Sequence, residues 1–396
     1  LISLRIEDAK VFDFTHELIL KLVAEEKISG LRIDHIDGLY DPAQYLHRLR
    51  EQVPYVYLVV EKILEHGEEL PVNWPCQGTS GYDFLGMVNS LFCQPAAESE
   101  FTRIYHSFIG NTTSCEMLID SNKRMIVDKH LAGDIDNLAH LLKRISERYR
   151  YASDFTLYGL QVALIEILVL FPVYRTYIGR TGSSRADQEY IRQVIAQARL
   201  NIPNFRNELN FIERFLRLEF DEHMAAEDKD QWLHFIMRLQ QFTGPLMAKG
   251  VEDTVFYVYN RLLSLNEVGA GPLQFGIDLD EFHAFNQHRV ACWPHAMNAS
   301  ATHDTKRGED VRARLNVLSE MPDEWERHVR EWHEINLSRK VQIGDRLAPE
   351  NDDEYLLYQT LLGTYPFDLA DYPTLIERIK AYLIKATREA KVHTNW

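Results

Sequence analysis

Two short runs of β-forming residues, at 31–34 and 55–63, flank one well-marked helix start, and this pattern constrains the fold more than any other feature. Asp41 followed by Pro42 marks the helix start, because Asp accepts hydrogen bonds from the first turn and Pro needs no donor there. The run at 55–63 is rich in Val, Tyr and Leu, which is typical of a buried parallel strand. A helical stripe is also predicted over 8–25. Helix, strand, helix, strand in this order predicts right-handed βα units on a parallel sheet.

Helical patterns dominate the middle of the chain. The stretch from 82 to 289 is too long for a loop of a barrel. We therefore predict that 82–289 form an inserted, mostly helical domain, with a candidate barrel strand near 171–178. Residues 1–81 would hold the preceding barrel strands. Residues 290–396 would return to the barrel, through a strand at 297–302, and end in helices. The predicted fold class is α/β: a partial (β/α)8 TIM barrel with a large inserted, mostly α-helical domain.

The composition narrows the possible partners. A formal net charge of −16 repels phosphate backbones and anionic lipid, so neither nucleic acid nor a membrane is expected as a partner, and a neutral substrate fits better. The four cysteines form no CxxC pair and have no zinc-type spacing with His, which indicates reduced, mostly buried thiols and no metal site. No secretion signal or apolar run of membrane-spanning length is apparent, so we expect a cytoplasmic protein. The composition does not indicate an oligomeric state.

The first segment with chemical character is the run from Gly30 to Gly38. Arg32 and Asp34 alternate along one strand, so both should project from the same face near its carboxyl end. Catalytic groups gather at that end of the strands in a (β/α)8 barrel. An arginine beside a carboxylate favours its ionised form, which a nucleophile requires. Taken alone, however, an Arg-X-Asp pattern is more often an ordinary surface ion pair.

The second segment ends in Glu61, which directly follows the apolar run of the next predicted strand. A carboxylate in that position is costly unless it lies where the strand leaves the core. It follows Asp34 by about one α/β repeat, so adjacent strands would place both carboxylates at the same mouth. A pair of nearby carboxyl groups, one ionised and one protonated, is what retaining glycoside transfer needs. A solvated Glu at a strand end is the competing interpretation.

The third segment contains His303 and Asp304 at the end of the strand predicted near 297–302. Such a pair could bind sugar hydroxyls and stabilise developing positive charge. Lys306 and Arg307 follow, and they would either line sugar subsites or solvate the start of the next helix. The sequence favours neither interpretation.

In this order the three segments resemble the signature regions of the α-amylase family of glycosidases. Five longer sequence segments closely resemble those of its trehalose-forming branch, the maltooligosyl trehalose synthase family: GLRIDHIDGL, GTSGYDF, MAKGVEDT, FYVYNRLLSLNEVG and NASATHDTKRGEDVRARL. The similarity covers nearly the whole chain. Ile36 is a departure, because Pro is expected there in this family.

The resemblance implies specific roles for the residues that match these motifs. Asp34 matches the nucleophile, Glu61 the general acid/base and Asp304 the transition-state stabiliser. The positions expected to bind substrate are Arg32, His35, Asp37, Tyr82, His303, Lys306 and Arg307. For Tyr82 a role in packing is an alternative to contact with the reducing-end sugar.

The implied reaction is an intramolecular transglycosylation of maltooligosaccharides without a cofactor. It would convert the reducing-end α-1,4 linkage to α,α-1,1 and give maltooligosyl trehalose. An α-glucan hydrolase or a branching enzyme of the same superfamily is the first alternative. The second is a catalytically incomplete chain, since the family's strand ending in Asp…Asn-His and its β-rich C-terminal domain are not found between Leu1 and Trp396. On this second view the chain is an internal piece of an enzyme with little activity alone.

Overall fold

A parallel pair of strands lies near the start of the chain in the computed structural model, which describes residues 4–221 and 223–394. Elements are numbered in chain order. Strand β1 (Gly30–Ile33) pairs in parallel with β2 (Tyr57–Val60), with Gly30 opposite Tyr57 and Ile33 opposite Val60. Helix α2 (Pro42–Gln52) connects them and is preceded by α1 (Ala9–Ala24). The predicted helix–strand–helix–strand start is therefore confirmed.

Contacts within the chain divide it into two compact units. Unit 1 comprises the residues up to Lys62, Glu68–Gly78 and Asp120–Gly250, and unit 2 comprises Ile63–Gly67, Thr79–Ile119 and the residues from Val251 onward. The sequence-based division, with boundaries after residues 81 and 289, is a different partition and stays a prediction. Its two outer segments begin at Leu1 and end at Trp396, which lie outside the described residues.

Unit 1 is mainly helical beyond the strand pair. The boundary between the units falls within α5 (Cys115–His130). The remaining helices of unit 1 are α6 (Ala132–Ser146), α7 (Leu157–Leu170), α8 (Arg185–Asn201), α9 (Arg206–Leu216) and α10 (Ala226–Met247).

The apolar faces of these helices form one continuous core. Phe215 of α9 stacks on Trp232 of α10, with ring centroids 3.7 Å apart. Ser184 and Asp187 form a reciprocal capping box at the start of α8, which satisfies donors that the first turn leaves unpaired. Local capping and apolar periodicity together explain why this region is helical.

Unit 2 is also mostly helical. Its helices are α3 (Tyr82–Leu91), α4 (Glu98–Ile109), α11 (Leu279–Cys292), α12 (Glu309–Asn316), α13 (Pro322–Asn336), α14 (Asn351–Thr364) and α15 (Tyr372–Ala390). A short antiparallel hairpin, β3 (Val341–Ile343) and β4 (Arg346–Ala348), interrupts them. Buried aromatic rings join α4, α13 and α14, because the ring of Tyr355 packs against those of Tyr105 and Trp325. The indole N–H of Trp325 also donates to the hydroxyl of Tyr355 at 2.7 Å.

The segment 171–178 is not the barrel strand that the sequence predicted. Its backbone groups bond to side chains of helices, several of them in α10, instead of to a neighbouring strand. The N–H of Ile178 donates to Gln240 Oε1 at 2.8 Å, and its carbonyl accepts from Gln240 Nε2 at 3.0 Å. The carbonyl of Tyr174 accepts from the hydroxyl of Thr243 at 2.7 Å. Because buried backbone groups need only one such partner, the segment needs no neighbouring strand to satisfy them.

The prediction of a strand at 297–302 is wrong for a similar reason. The carbonyl of Met297 accepts from Arg289 at 2.9 Å, and the carbonyl of Ser300 accepts from Arg312. Over the described part of the chain, β1 and β2 form the only parallel pair, and no closed barrel is present. The expected α/β start and helical remainder are observed, whereas the further barrel strands are not.

Candidate functional site

Asp34 and Glu61 lie at the carboxyl ends of the two parallel strands. Ile33, the last residue of β1, is in register with Val60, the last residue of β2. The N–H of Glu61 continues the ladder by donating to the carbonyl of Ile33 at 2.8 Å. The next residue of each strand therefore leaves the sheet at the same edge, which is where ligands bind in parallel α/β sheets.

Arg32 lies between the two carboxyl groups. Its guanidinium donates a hydrogen bond to Asp34, and its Nη2 is 3.6 Å from Glu61 Oε2. The Asp34 side chain is 70% exposed, whereas that of Glu61 is 18% exposed. The more accessible carboxylate is thus also the one most strongly bound to the arginine.

The surroundings move the pKa values of the two carboxyl groups in opposite directions. The hydrogen bond from Arg32 holds the pKa of Asp34 below its usual value, whereas burial raises the pKa of Glu61. The two carboxyl groups also interact directly, and this hydrogen bond lowers the pKa of Asp34 and raises that of Glu61. One carboxyl group with a lowered pKa beside one with a raised pKa is the arrangement that separates a nucleophile from a general acid.

The backbone after Asp34 turns sharply at His35. This residue has φ of 45°, a left-handed conformation that costs energy in a residue with a side chain. In this conformation its N–H donates to Glu61 Oε2 at 2.5 Å. Gly38 makes room for the turn, because a Cβ there would lie 2.3 Å from His35 Cδ2. The left-handed turn therefore links the end of β1 to the carboxyl group that follows β2.

Asp37 is buried next to the strand ends. Its carboxylate is 3.2 Å from the ammonium of Lys62 and accepts a hydrogen bond from the hydroxyl of Tyr177. Lys62 also contacts Glu68 at 2.8 Å, and Arg175 donates to the carbonyl of Asp37 at 2.7 Å. These contacts fix the turn after β1, while the expected contact of Asp37 with a sugar stays a prediction.

Asp304 has its own set of partners in unit 2. The hydroxyl of Tyr82, a residue that is 1% exposed, donates to Asp304 Oδ2 at 2.8 Å. Nε2 of His303 lies 3.1 Å from the same oxygen, and the His303 side chain is largely exposed. The N–H of Asp304 donates to the hydroxyl of Thr302 at 3.2 Å. Tyr82 thus packs in the core and binds Asp304, while its contact with the reducing-end sugar stays a prediction.

Lys306 and Arg307 are bonded within unit 2. The ammonium of Lys306 is 3.2 Å from Asp253 Oδ1. Arg307 donates to the hydroxyl of Tyr382 at 2.8 Å and to the carbonyl of Leu263 at 3.2 Å. These three contacts fasten the loop, and binding of a sugar by either side chain stays a prediction.

The site residues predicted from the sequence fall into two sets, each inside one unit. Unit 1 holds Arg32, Asp34, His35, Asp37 and Glu61, and unit 2 holds Tyr82, His303, Asp304, Lys306 and Arg307.

Sequence reasoning missed Lys62 and Glu267, which are both buried. Each is a charged residue within or beside an apolar run. Such a residue is costly to bury unless it is paired, and the same signal had singled out Glu61.

Two further observations concern metal-binding clusters and membrane-spanning helices. Among residues 4–221 and 223–394, no group of three or more His, Cys, Asp or Glu side chains could hold a metal ion. None of the helices that the structure describes is long and apolar enough to cross a membrane.

Comparison with known proteins places this arrangement in context. No protein-family model matches the chain. A putative maltooligosyl trehalose synthase of Mycobacterium tuberculosis is 33% identical over 398 residues, a match that covers 100% of this chain and 47% of that protein. The solved maltooligosyltrehalose synthase from Arthrobacter ramosus superposes with a TM-score of 0.83 at 35% identity, over 99% of this chain and 46% of the other. A hypothetical maltooligosyl trehalose synthase of Sulfolobus tokodaii gives 0.76 at 36% identity over the same shares.

These matches establish first that the chain shares the fold of one part of a set of solved synthase structures. The chain is a homologue of maltooligosyl trehalose synthase. It spans about half the length of the curated relatives it matches, 47% in the Mycobacterium tuberculosis protein.

Proposed function

We propose that this chain carries the catalytic carboxyl groups of an intramolecular transglycosylation of maltooligosaccharides. The reaction converts the reducing-end α-1,4 linkage to an α,α-1,1 linkage and gives maltooligosyl trehalose. The observation that carries the proposal is the pair formed by Asp34 and Glu61, with pKa values displaced in opposite directions at one edge of the β1–β2 pair. The names of the homologous synthases support the same substrate class.

In the first step Asp34 attacks the anomeric carbon on the non-reducing side of the terminal linkage. The exposure of Asp34 and the hydrogen bond from Arg32 favour this role, because the nucleophile must be ionised and reachable. Glu61 donates its proton to the departing glycosidic oxygen. A covalent maltooligosyl ester on Asp34 and a free glucose result.

In the second step the glucose offers its own anomeric hydroxyl to the ester. Glu61, now ionised, removes the proton from that hydroxyl, and the bond to Asp34 breaks as the α,α-1,1 bond forms. The N–H of His35 donates to Glu61 Oε2 and stabilises this ionised form. Two inversions at the same carbon retain its α configuration, and Glu61 regains the proton that it lost in the first step.

Asp304 completes the proposal as the group that stabilises positive charge on the sugar ring in the transition state. The bonds from Tyr82 and His303 orient its carboxylate, and no cofactor takes part in the scheme.

Hydrolysis is the second candidate function. The observation in its favour is the 70% exposure of the Asp34 side chain, because an ester on an exposed carboxylate is open to attack by water. A transferase must exclude water from that ester while it holds the released glucose.

Incubation of the 396-residue chain with maltohexaose separates these candidates. The proposal predicts that reducing ends disappear while no shorter sugar forms. Production of glucose or maltose would instead support a hydrolase, and unchanged maltohexaose would show that these 396 residues do not suffice for the transfer. Glu61→Gln should abolish the reaction, whereas Glu51→Gln, at an exposed carboxylate of α2, should leave it unchanged.

A further inference from the structure

We propose that Glu267 is a positioning residue for Asp304, acting through the loop at 302–307. The inference rests on the proposed function, in which Asp304 stabilises the transition state. It adds a residue with no assigned role, which contacts the loop rather than the substrate.

The carboxylate of Glu267 is fully buried and binds two consecutive amides of this loop. Oε1 accepts from the N–H of Lys306 at 2.7 Å, and Oε2 accepts from the N–H of Arg307 at 2.9 Å. Oε1 also accepts from the N–H of Val268 at 3.0 Å. The amides that follow Asp304 by two and three residues are therefore fixed by one side chain.

Arg312 balances the buried charge and holds the loop on both sides. Its Nη1 lies 3.5 Å from Glu267 Oε2 and donates to the carbonyl of Arg307 at 2.5 Å. Its Nη2 donates to the carbonyl of Ser300. A buried carboxylate is stable only when paired and hydrogen-bonded, and here every one of these donors belongs to the loop, its flanks or the next residue along the chain.

The segment that carries Glu267 also packs closely against Tyr82. Gly269 has φ of 83°, and a Cβ at this position would lie 2.4 Å from the carbonyl oxygen of Tyr82. Tyr82 in turn donates to Asp304 Oδ2. Residues 267–269 thus bind the loop amides and lie against the tyrosine whose hydroxyl binds the Asp304 carboxylate.

A purely structural role would stabilise unit 2 without a special effect on this loop. Hydrogen exchange of the chain variant Glu267→Gln distinguishes the two roles. Gln keeps the size of the side chain but turns an NH2 group towards one of the two amides, which then loses its acceptor. We expect the amide that loses its acceptor, that of Lys306 or of Arg307, to exchange about tenfold to a hundredfold faster, since a buried donor is left unpaired.

The matched control is Glu354→Gln. Glu354 is also buried in unit 2, but it binds Lys340 at 2.7 Å and His333 at 2.8 Å. This variant should leave exchange at 306 and 307 unchanged. If Glu267→Gln does not fold, Glu267→Asp keeps the charge but withdraws it from both amides, and it should also speed their exchange. Unchanged exchange in whichever Glu267 variant folds would overturn the proposal.

Activity gives the second readout. With maltohexaose, Glu267→Gln should lower kcat by about a hundredfold with little effect on KM, because a displaced loop harms the transition state more than binding. Adding Glu267→Gln to Asp304→Asn should cause no further loss. Multiplied losses would mean that Glu267 acts independently of Asp304, which overturns the proposal. If the unmodified chain forms glucose or maltose instead of a trehalose linkage, the proposed function fails; if it leaves maltohexaose unchanged, these 396 residues do not suffice for the transfer. In both cases the exchange experiment still decides the positioning role.

Discussion

Replacing Lys62 by Met should strongly destabilise unit 1. The Lys62 side chain is fully buried, and its ammonium contacts Asp37 at 3.2 Å and Glu68 at 2.8 Å. Burial lowers the pKa of Lys62, but the two carboxylates outweigh burial and raise it overall. The ammonium therefore stays charged, and Met would remove the charge while roughly keeping the volume.

The magnitude follows from what the substitution leaves behind. Both carboxylate side chains are only 7% exposed, so neither can gain enough water to replace the lost ammonium. Breaking a buried ion pair by removing one partner costs about 3–5 kcal/mol, because the other charge remains buried and unpaired. Asp37 retains its hydrogen bond from Tyr177, but this bond does not replace the lost positive charge. We therefore expect Lys62→Met to lower the free energy of unfolding of unit 1 by about 3–5 kcal/mol.

Hydrogen exchange at increasing urea concentration measures this loss for peptides of α2 and β2, which are adjacent to the ion cluster in the sequence. Lys380→Met makes the same replacement in an exposed pair, where Lys380 and Glu377 lie 2.8 Å apart, and should change the free energy of unfolding by less than about 1 kcal/mol. A loss below about 1 kcal/mol in Lys62→Met would refute the argument that the cluster depends on the ammonium.

Two further predictions concern the strand turn and pH. Gly38→Ala should lower transfer activity about tenfold or more, because the added methyl group displaces the imidazole of His35, which is predicted to bind substrate. Gly133→Ala has open space around the new methyl group and serves as the control; equal losses in both variants would contradict this reasoning. Burial raises the pKa of Asp352 to about 7, above its value in the unfolded chain, so its contribution to stability is complete in acid and is lost as pH rises towards 7. The free energy of unfolding should therefore fall by up to about 4 kcal/mol between about pH 4 and pH 7, as measured by urea titrations at several pH values. Asp352→Asn should make the free energy of unfolding depend less on pH. The same pH dependence in the variant and the unmodified chain would exclude the effect.

The sequence predicts the elements of this chain well where the determinants are local. The Asp41–Pro42 start of α2 is observed, with the Asp41 side chain accepting from the N–H of Gln44 at 3.0 Å. Likewise, the helices of unit 1 follow their apolar periodicity. Both signals depend on residues within one or two turns of each other.

The wrong strand predictions depend on partners that are distant in sequence. The segment at 171–178 has a strand-like composition, but side chains of α10 take its backbone hydrogen bonds. No pattern inside the segment reveals that Gln240 and Thr243 will lie beside it. The strand expected at 297–302 is replaced in the same way by contacts with Arg289 and Arg312.

In the candidate site, too, features set by the local sequence were predicted and features set by distant packing partners were not. A carboxylate at the end of each of two consecutive strands can be read from the sequence, and the structure brings Asp34 and Glu61 to one edge. The left-handed turn at His35 and the burial of Glu267 depend on packing, and the sequence alone did not reveal them. The chemical roles of the carboxyl groups remain predictions.

Trapping the covalent intermediate tests the central claim most directly. An α-glucosyl fluoride that carries a second fluorine at ring carbon 5 should form an ester with the nucleophile and lose it slowly, since fluorine destabilises the positive charge of the second transition state. Peptide mass spectrometry of the treated chain should find the sugar on Asp34, and Asp34→Asn should remove it. A sugar attached to Glu61 or Asp304, or none at all while maltohexaose is converted, would contradict the assignment of Asp34 as the nucleophile.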